Sequence, residues 1–231
     1  ESNLQILRLG PLSASQNLQK FLSDFRFNQI IITESETRYL DPLGISKQWS
    51  YGFKNWLDMF LKEELLKFKS PKNKKTFLLK RLLDKDYIIN EWLDKSFPLH
   101  GLITEPSLAR WLPRLFPKRS IVMLSASSPI RDWISFGGEE SFKNRCFSFR
   151  GASGIDGTLS LAMGLAKARG LTFLVTGDLA LLHDSNGWLF SAPKGPRLIV
   201  FLIDNGGGGI FNQLGLCELP KDSFQELFIM P

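Results

Sequence analysis

Along the first seventy residues, apolar positions switch between the period of a strand and that of a helix. "LQILRLG" (residues 4–10) is a short apolar run that predicts a strand, and "SASQNLQKFLSDF" (13–25) then places apolar residues at helical spacing. Leu18, Phe21, Leu22 and Phe25 fall on one face, and Ser13 with Gln16 three positions on makes a capping-box pattern at the helix start. "QIIITE" (29–34) predicts the next strand. Residues 53–68 predict a longer helix, with Phe53, Trp56, Leu57, Phe60, Leu61, Leu65 and Phe68 on a stripe broken only by Glu64. Lysines lie opposite, so this helix suits packing on a sheet; binding a partner is the rarer use of such a face.

The second half is more regular. Helical stretches at 76–93 and near Pro106 to Leu115 lead into "SIVMLS", and short apolar strands follow at 121–125, 147–149, 171–176 and 198–203. Helical or long crossover segments separate them. Continuous apolar runs alternating with helices predict an α/β fold, with parallel sheets covered by helices on both faces. A composition shift near Ser70 to Lys75 marks a boundary, dividing the chain into 1–72 and 73–231.

Composition narrows the classes without choosing among them. The chain has 231 residues, 43% hydrophobic and 23% charged, as in an ordinary globular protein. No apolar run approaches the roughly 18 residues of a membrane span. The opening residues lack a signal peptide's basic and small-residue features, lack an initiating Met, and run straight into a strand. They read as an interior piece of a longer polypeptide. Two cysteines in separate segments, Cys146 and Cys217, suit a reducing, cytoplasmic setting. His100 and His183 lie far apart, which argues against a His/Cys zinc site. Much of the net charge of +6 sits in "KFKSPKNKKTFLLKR" (67–81). Ser70-Pro71 breaks any helix there, so the run reads as a solvated connector, and neither a nucleic-acid nor a membrane partner is expected.

Four segments follow strand ends, where parallel sheets bind ligands: "SASSPIRD" (125–132), "RGASGIDG" (150–157), "GDLA" (177–180) and "DNGGGGIF" (204–211). The second opens a helix whose small residues Ala162, Gly164 and Ala166 allow close packing, and whose N-terminus suits a phosphate or carboxylate. A dinucleotide fold is a competing reading, but Gly151, Gly154 and Gly157 lack the tight G-x-G turn it requires. Asp178 and Asn205 each end an apolar strand, one crossover apart. A carboxylate, an amide oxygen and a backbone carbonyl are hard donors that suit Mg²⁺ with phosphate oxygens in its remaining positions.

A Gly-Asp pair followed about 27 positions later by Asn-x-Gly resembles the metal–diphosphate motif of thiamine-diphosphate enzymes. "SSPIRDW", "RGASGIDGTLS", "GDLALLHDSNG" and "DNGGGGIF" narrow the likeness to the pyrophosphate domain of the MenD family. These are the 2-succinyl-5-enolpyruvyl-6-hydroxy-3-cyclohexene-1-carboxylate (SEPHCHC) synthases of menaquinone and phylloquinone biosynthesis. Leu179 stands where most thiamine-diphosphate enzymes have Gly, as it does in this family. "LRLGPLSASQNLQKFL" is similar to the late part of the family's central domain, so 1–72 would be the end of that α/β domain. Residues 73–231 would be most of the thiamine-pyrophosphate-binding domain, truncated at its C-terminal end.

The resemblance implies a transferase that decarboxylates 2-oxoglutarate and adds the succinyl carbanion to isochorismate in a 1,4-addition, giving SEPHCHC and CO₂. It implies thiamine diphosphate with Mg²⁺ (or Mn²⁺), and a homodimer or homotetramer with the active site at a subunit interface. Asp178, Asn205 and the Gly207 carbonyl would hold the metal; Ile155, Gly177, Leu179 and Ala180 would join them around the cofactor, Ile155 as its prop. Ser127, Arg131, Arg150, Ile210 and Phe211 would meet substrate. No catalytic residue falls in this chain, because the activating Glu is expected in an N-terminal pyrimidine-binding domain. The piece alone would therefore be inactive. Gln16-Asn17 replaces an expected Lys-Arg pair, and Phe149 an expected Asn. Another thiamine-diphosphate decarboxylase or synthase, or a non-catalytic nucleotide-binding module, remains the alternative.

Overall fold

The computed structural model describes residues 5–12, 15–24, 28–63, 77–149, 154–191, 195–213 and 218–229, with the side chains of 61–63 excepted. The chain forms two compact units, Glu1–Lys85 and Asp86–Pro231. The expected boundary near residues 70–75, and most of the lysine-rich run, lie outside the described residues.

The first unit holds β1 (Ile6–Leu9), α1 (Gln16–Ser23), β2 (Gln29–Ile32), β3 (Lys47–Trp49) and α2 (Phe53–Glu63). The strands pair in parallel in the order β1-β2-β3. α1 starts from Ser15, whose Oγ accepts from the Leu18 N–H at 3.2 Å, rather than from Ser13, which lies outside the described residues. Of its expected apolar face Leu22 is buried, while Leu18 and Phe21 are exposed. β3 has no apolar run to announce it and takes its place by register with β2. Beneath the sheet Arg8 Nη1 donates to Asp41 Oδ1 at 2.9 Å. Burial alone would raise the Asp41 pKa, but hydrogen bonds from Ser46, Arg8 and the Ile45 N–H outweigh it and hold it down to about 2. On α2, Trp56 stacks against Phe53 and Phe60, with ring centroids 6.2 and 5.2 Å apart.

α3 (Phe77–Ser96) leads into the second unit. There follow α4 (Glu105–Leu115), β4 (Ile121–Leu124), α5 (Ser128–Phe136), α6 (Gly138–Ser141), β5 (Arg145–Ser148), α7 (Thr158–Arg169), β6 (Thr172–Gly177), α8 (Asp178–His183), β7 (Leu198–Ile203) and α9 (Lys221–Phe228). The sheet order is β5-β4-β6-β7, every pairing parallel. Side chains alternate across it and both faces are covered. Val122, Leu124, Phe173 and Val175 pack with Leu112 and Phe116 at α4 and Trp133 of α5. Met123 and Leu174 pack on the other side with Leu159, Ala162 and Met163 of α7. This is why β4 and β6 are continuous apolar runs rather than alternating ones. Gly164 is not part of that packing: it is exposed, and an added Cβ would meet nothing within 4 Å.

α4 is fixed by a buried guanidinium. Arg110, 1% exposed, donates to Asp94 Oδ1 at 2.7 Å, to Asn90 Oδ1 at 2.9 Å and to the Phe136 carbonyl at 3.2 Å. α3, α4 and the end of α5 are thereby tied together. Among the described residues, no helix is long and apolar enough to cross a membrane.

Candidate cofactor and metal site

Parallel pairing brings the carboxyl ends of β4, β6 and β7 to one edge. Gly177 pairs with Ile203, so Asp178 and Asp204 are the next positions after neighbouring strands and Asn205 follows. Both Asp178 oxygens are oriented by backbone donors: the Leu179 N–H donates to Oδ1 and the Gly207 N–H to Oδ2, each at 2.7 Å. The second bond spans the two strand ends. It requires a turn that doubles back at once, and Gly206, Gly207 and Gly208 supply it with φ of 78°, 79° and 67°. A Cβ on Gly208 would collide with the Phe228 carbonyl, so φ and space both demand glycine there. Asn205 is turned by a different element: its Nδ2 donates to Glu105 Oε1, in the first turn of α4, at 2.7 Å.

These groups line one cavity of about 140 Å³. Gly177, Asp178, Leu179 and Ala180 border it at β6, Asn205 and Gly208 to Phe211 at β7, Ala126 to Pro129 after β4, and Ile155 before α7. Gly207 lies behind, buried, with its N–H on Asp178. Ser127 has φ 74° and ψ −139°, a strained backbone for a residue with a side chain, and it caps no N–H of α5. Among the described residues no three His, Cys, Asp or Glu side chains gather into a metal site. The hard donors here are instead one carboxylate, one amide oxygen and backbone carbonyls. The Asn205 Oδ1 takes no described hydrogen bond, and the amide's donor end is the one turned to Glu105. That donor chemistry suits an oxygen-loving cation such as Mg²⁺. A larger hollow of about 780 Å³ runs along Met163, Gly164, Lys167, Pro196 and Arg197. It lies at the start of β7, the opposite end from the one where parallel sheets bind ligands.

Curated relatives align along the whole chain. The 2-succinyl-5-enolpyruvyl-6-hydroxy-3-cyclohexene-1-carboxylate synthase of Prochlorococcus marinus strain MIT 9313 is 52% identical over 231 residues, covering 100% of this chain and 40% of its own. The synthase of strain NATL2A is 53% identical over 231 residues, 99% of this chain and 38% of its own. That of Synechococcus sp. strain CC9902 is 50% identical over 228 residues, 99% and 39%. The chain belongs to the MenD family. It spans about two fifths of the length of the curated relatives it matches. No family model matches it.

One of the MenD-like residues, Arg131, stands apart from the cavity. Arg150 lies outside the described residues. Arg131 is exposed and donates from Nη1 to the Ser127 carbonyl at 2.7 Å, bracing the strained serine from behind. The start of α7 is already occupied in part by the chain itself. Asp184 accepts from the Ser160 N–H at 2.6 Å and from its hydroxyl at 2.9 Å, so one of the N–H groups at this helix end is spent on an internal carboxylate. Glu105 is the residue that sequence reasoning passed over. Its one local signal is the start of α4, where Thr104 and Ser107 form a reciprocal cap and Pro106 follows. Such a signal reports a helix end, and no pattern within the chain links it to Asn205, 100 positions away. Deeper in, Asp132 is 9% exposed; burial first, and the Glu105 charge second, raise its pKa to about 6 against the opposing pull of Arg131.

Proposed function

We propose that the protein to which this chain belongs is a thiamine-diphosphate- and Mg²⁺-dependent transferase that joins 2-oxoglutarate and isochorismate into SEPHCHC with release of CO₂. The observation that carries the reading is the Asp178–Gly207 link across two strand ends, with Asn205 beside it and its amide oxygen taking no hydrogen bond among the described residues. Likeness along the whole chain to proteins bearing the synthase name supports the choice of reaction.

Asp178, Asn205 and the Gly207 carbonyl would hold the metal, which neutralises the diphosphate that an otherwise acidic strand edge would repel. Ile155, Leu179 and Ala180 would give the cofactor apolar walls. Thiamine diphosphate, when bound, supplies the nucleophilic carbon and the electron sink for decarboxylation. The chain's part is position and charge. Ser127 would hydrogen-bond substrate, Arg131 and Arg150 would pair with substrate carboxylates, and Ile210 with Phe211 would keep water from the reacting carbon. Phe211 is held for that role by Phe228, 5.1 Å away between ring centroids. At about 140 Å³ the cavity is smaller than the roughly 300 Å³ or more of a complete cofactor pocket. It would take the metal–diphosphate end, and a second subunit of a homodimer or homotetramer would enclose the rest.

Full-length protein supplied with 2-oxoglutarate, isochorismate, thiamine diphosphate and Mg²⁺ is expected to release one CO₂ per SEPHCHC formed, and Asp178→Ala is expected to lose at least 100-fold in rate. Turnover that needs no isochorismate would favour another thiamine-diphosphate decarboxylase. Tight NAD binding, or turnover unaffected by Asp178→Ala, would remove the reading altogether.

A further inference from the structure

We propose that Glu105 is a positioning residue that sets which end of the Asn205 amide faces the metal, an inference that rests on the reading above. A carboxylate can only accept a hydrogen bond, whereas a primary amide donates from one end and accepts at the other. With Glu105 Oε1 2.7 Å from Asn205 Nδ2, the amide has one allowed orientation, and its oxygen must turn away from Glu105. Flipping it would set the amide oxygen against an anion and leave both without a donor.

The need for such a device follows from the contrast with Asp178. Both oxygens of that carboxylate are held by backbone N–H groups. Asn205 is exposed, and among the described residues its side chain has Glu105 as its hydrogen-bond partner. The neighbourhood is built for the contact from both sides. Gly209 leaves room, since a Cβ there would come within 2.5 Å of Asn205 Nδ2. The reciprocal cap of Thr104 and Ser107, with Ser107 N–H to Thr104 Oγ1 at 3.2 Å and Thr104 N–H to Ser107 Oγ at 2.8 Å, fixes the turn that carries Glu105. Arg110, one and a half turns on, anchors the helix. A first-turn Glu also suits the helix dipole. That role alone would affect stability and leave metal affinity untouched.

The test measures Mn²⁺ affinity of the full-length protein in the presence of thiamine diphosphate, by paramagnetic resonance of the free ion, with thermal melts alongside. Glu105→Ala is expected to weaken Mn²⁺ binding about tenfold or more, as loss of a group orienting a ligand does. Glu105→Gln keeps an oxygen that can accept from Asn205 but adds a nitrogen that can donate to the flipped amide, so it too is expected to lose Mn²⁺ affinity, by no more than Glu105→Ala does. Asp178→Ala serves as the control for the site itself. If Glu105→Ala binds Mn²⁺ as wild type does while Asp178→Ala does not, the positioning role is wrong and the site stands. If Glu105→Ala weakens Mn²⁺ binding as much in an Asn205→Asp background, where the ligand has no wrong end, Glu105 acts by its charge or as a ligand, which equally overturns the proposal. If Asp178→Ala also binds normally, the reading of the site falls and takes the proposal with it.

Discussion

Asp132 lies under the site with its pKa raised to about 6, by burial foremost and then by the Glu105 charge. A carboxylate whose folded pKa exceeds its unfolded value near 3.9 favours the folded state at low pH and loses that contribution as pH rises through about 4 to 6. A rise of that size corresponds to an upper bound of about 3 kcal/mol. Asp132→Asn keeps the shape and removes the titration, so its melting temperature is expected to exceed wild type at pH 7.5 and to approach it at pH 4.5. A difference independent of pH would show that the ionised form costs nothing there. Single residues were legible in the chain to the extent that their roles are local. Asp178 and Asn205 stand out because each ends an apolar run. Glu105 does not, because its partner is set by how α4 packs beside β7, which no local pattern encodes.

Among the elements, the glycine turn and α7 give opposite forecasts for the same substitution. Gly208 sits at φ 67° with the Phe228 carbonyl in the path of any Cβ. Gly208→Ala is expected to destabilise the fold by about 1–2 kcal/mol or more, from backbone strain alone, and to weaken cofactor binding by displacing Gly207 from Asp178. Gly164 sits in a helix with open space where a Cβ would go, so Gly164→Ala is expected to stabilise by about 0.5–1 kcal/mol. Chemical denaturation of both variants checks the pair, and equal losses would contradict it. The small residues of α7 had suggested close packing throughout; Ala162 and Ala166 are buried on the sheet as expected, but Gly164 faces outward. Composition marks that a helix has a tight face, and only the helix's rotation decides which small residues lie on it. In the same way α1 begins at Ser15, where the backbone turns, although Ser13 offers as good a capping pattern. β3, three residues long with no buried run, had no signal to read.

At the scale of the whole molecule, the strand order β5-β4-β6-β7 gathers the strand-end segments to one edge, and that gathering is what the spacing of Asp178 and Asn205 anticipated. A period of strands and helices foretells a parallel sheet because each crossover returns the chain to the same end. It does not foretell which strands are neighbours, and the site depends on β6 lying beside β7. Arg110 then brings α4 to that edge by joining Asp94, Asn90 and the end of α5, adding Glu105 to donors that the strands supply. The central claim is that these donors hold a divalent cation together with a diphosphate. Diffraction from crystals of the full-length protein grown with Mn²⁺ and thiamine diphosphate, measured with the metal's anomalous signal, tests it most directly. One peak is expected, bonded to the Asp178 carboxylate, the Asn205 amide oxygen and the Gly207 carbonyl, with diphosphate oxygens completing the shell. A peak elsewhere, or diphosphate bound with Asn205 turned nitrogen-first toward it and no metal between them, would contradict it.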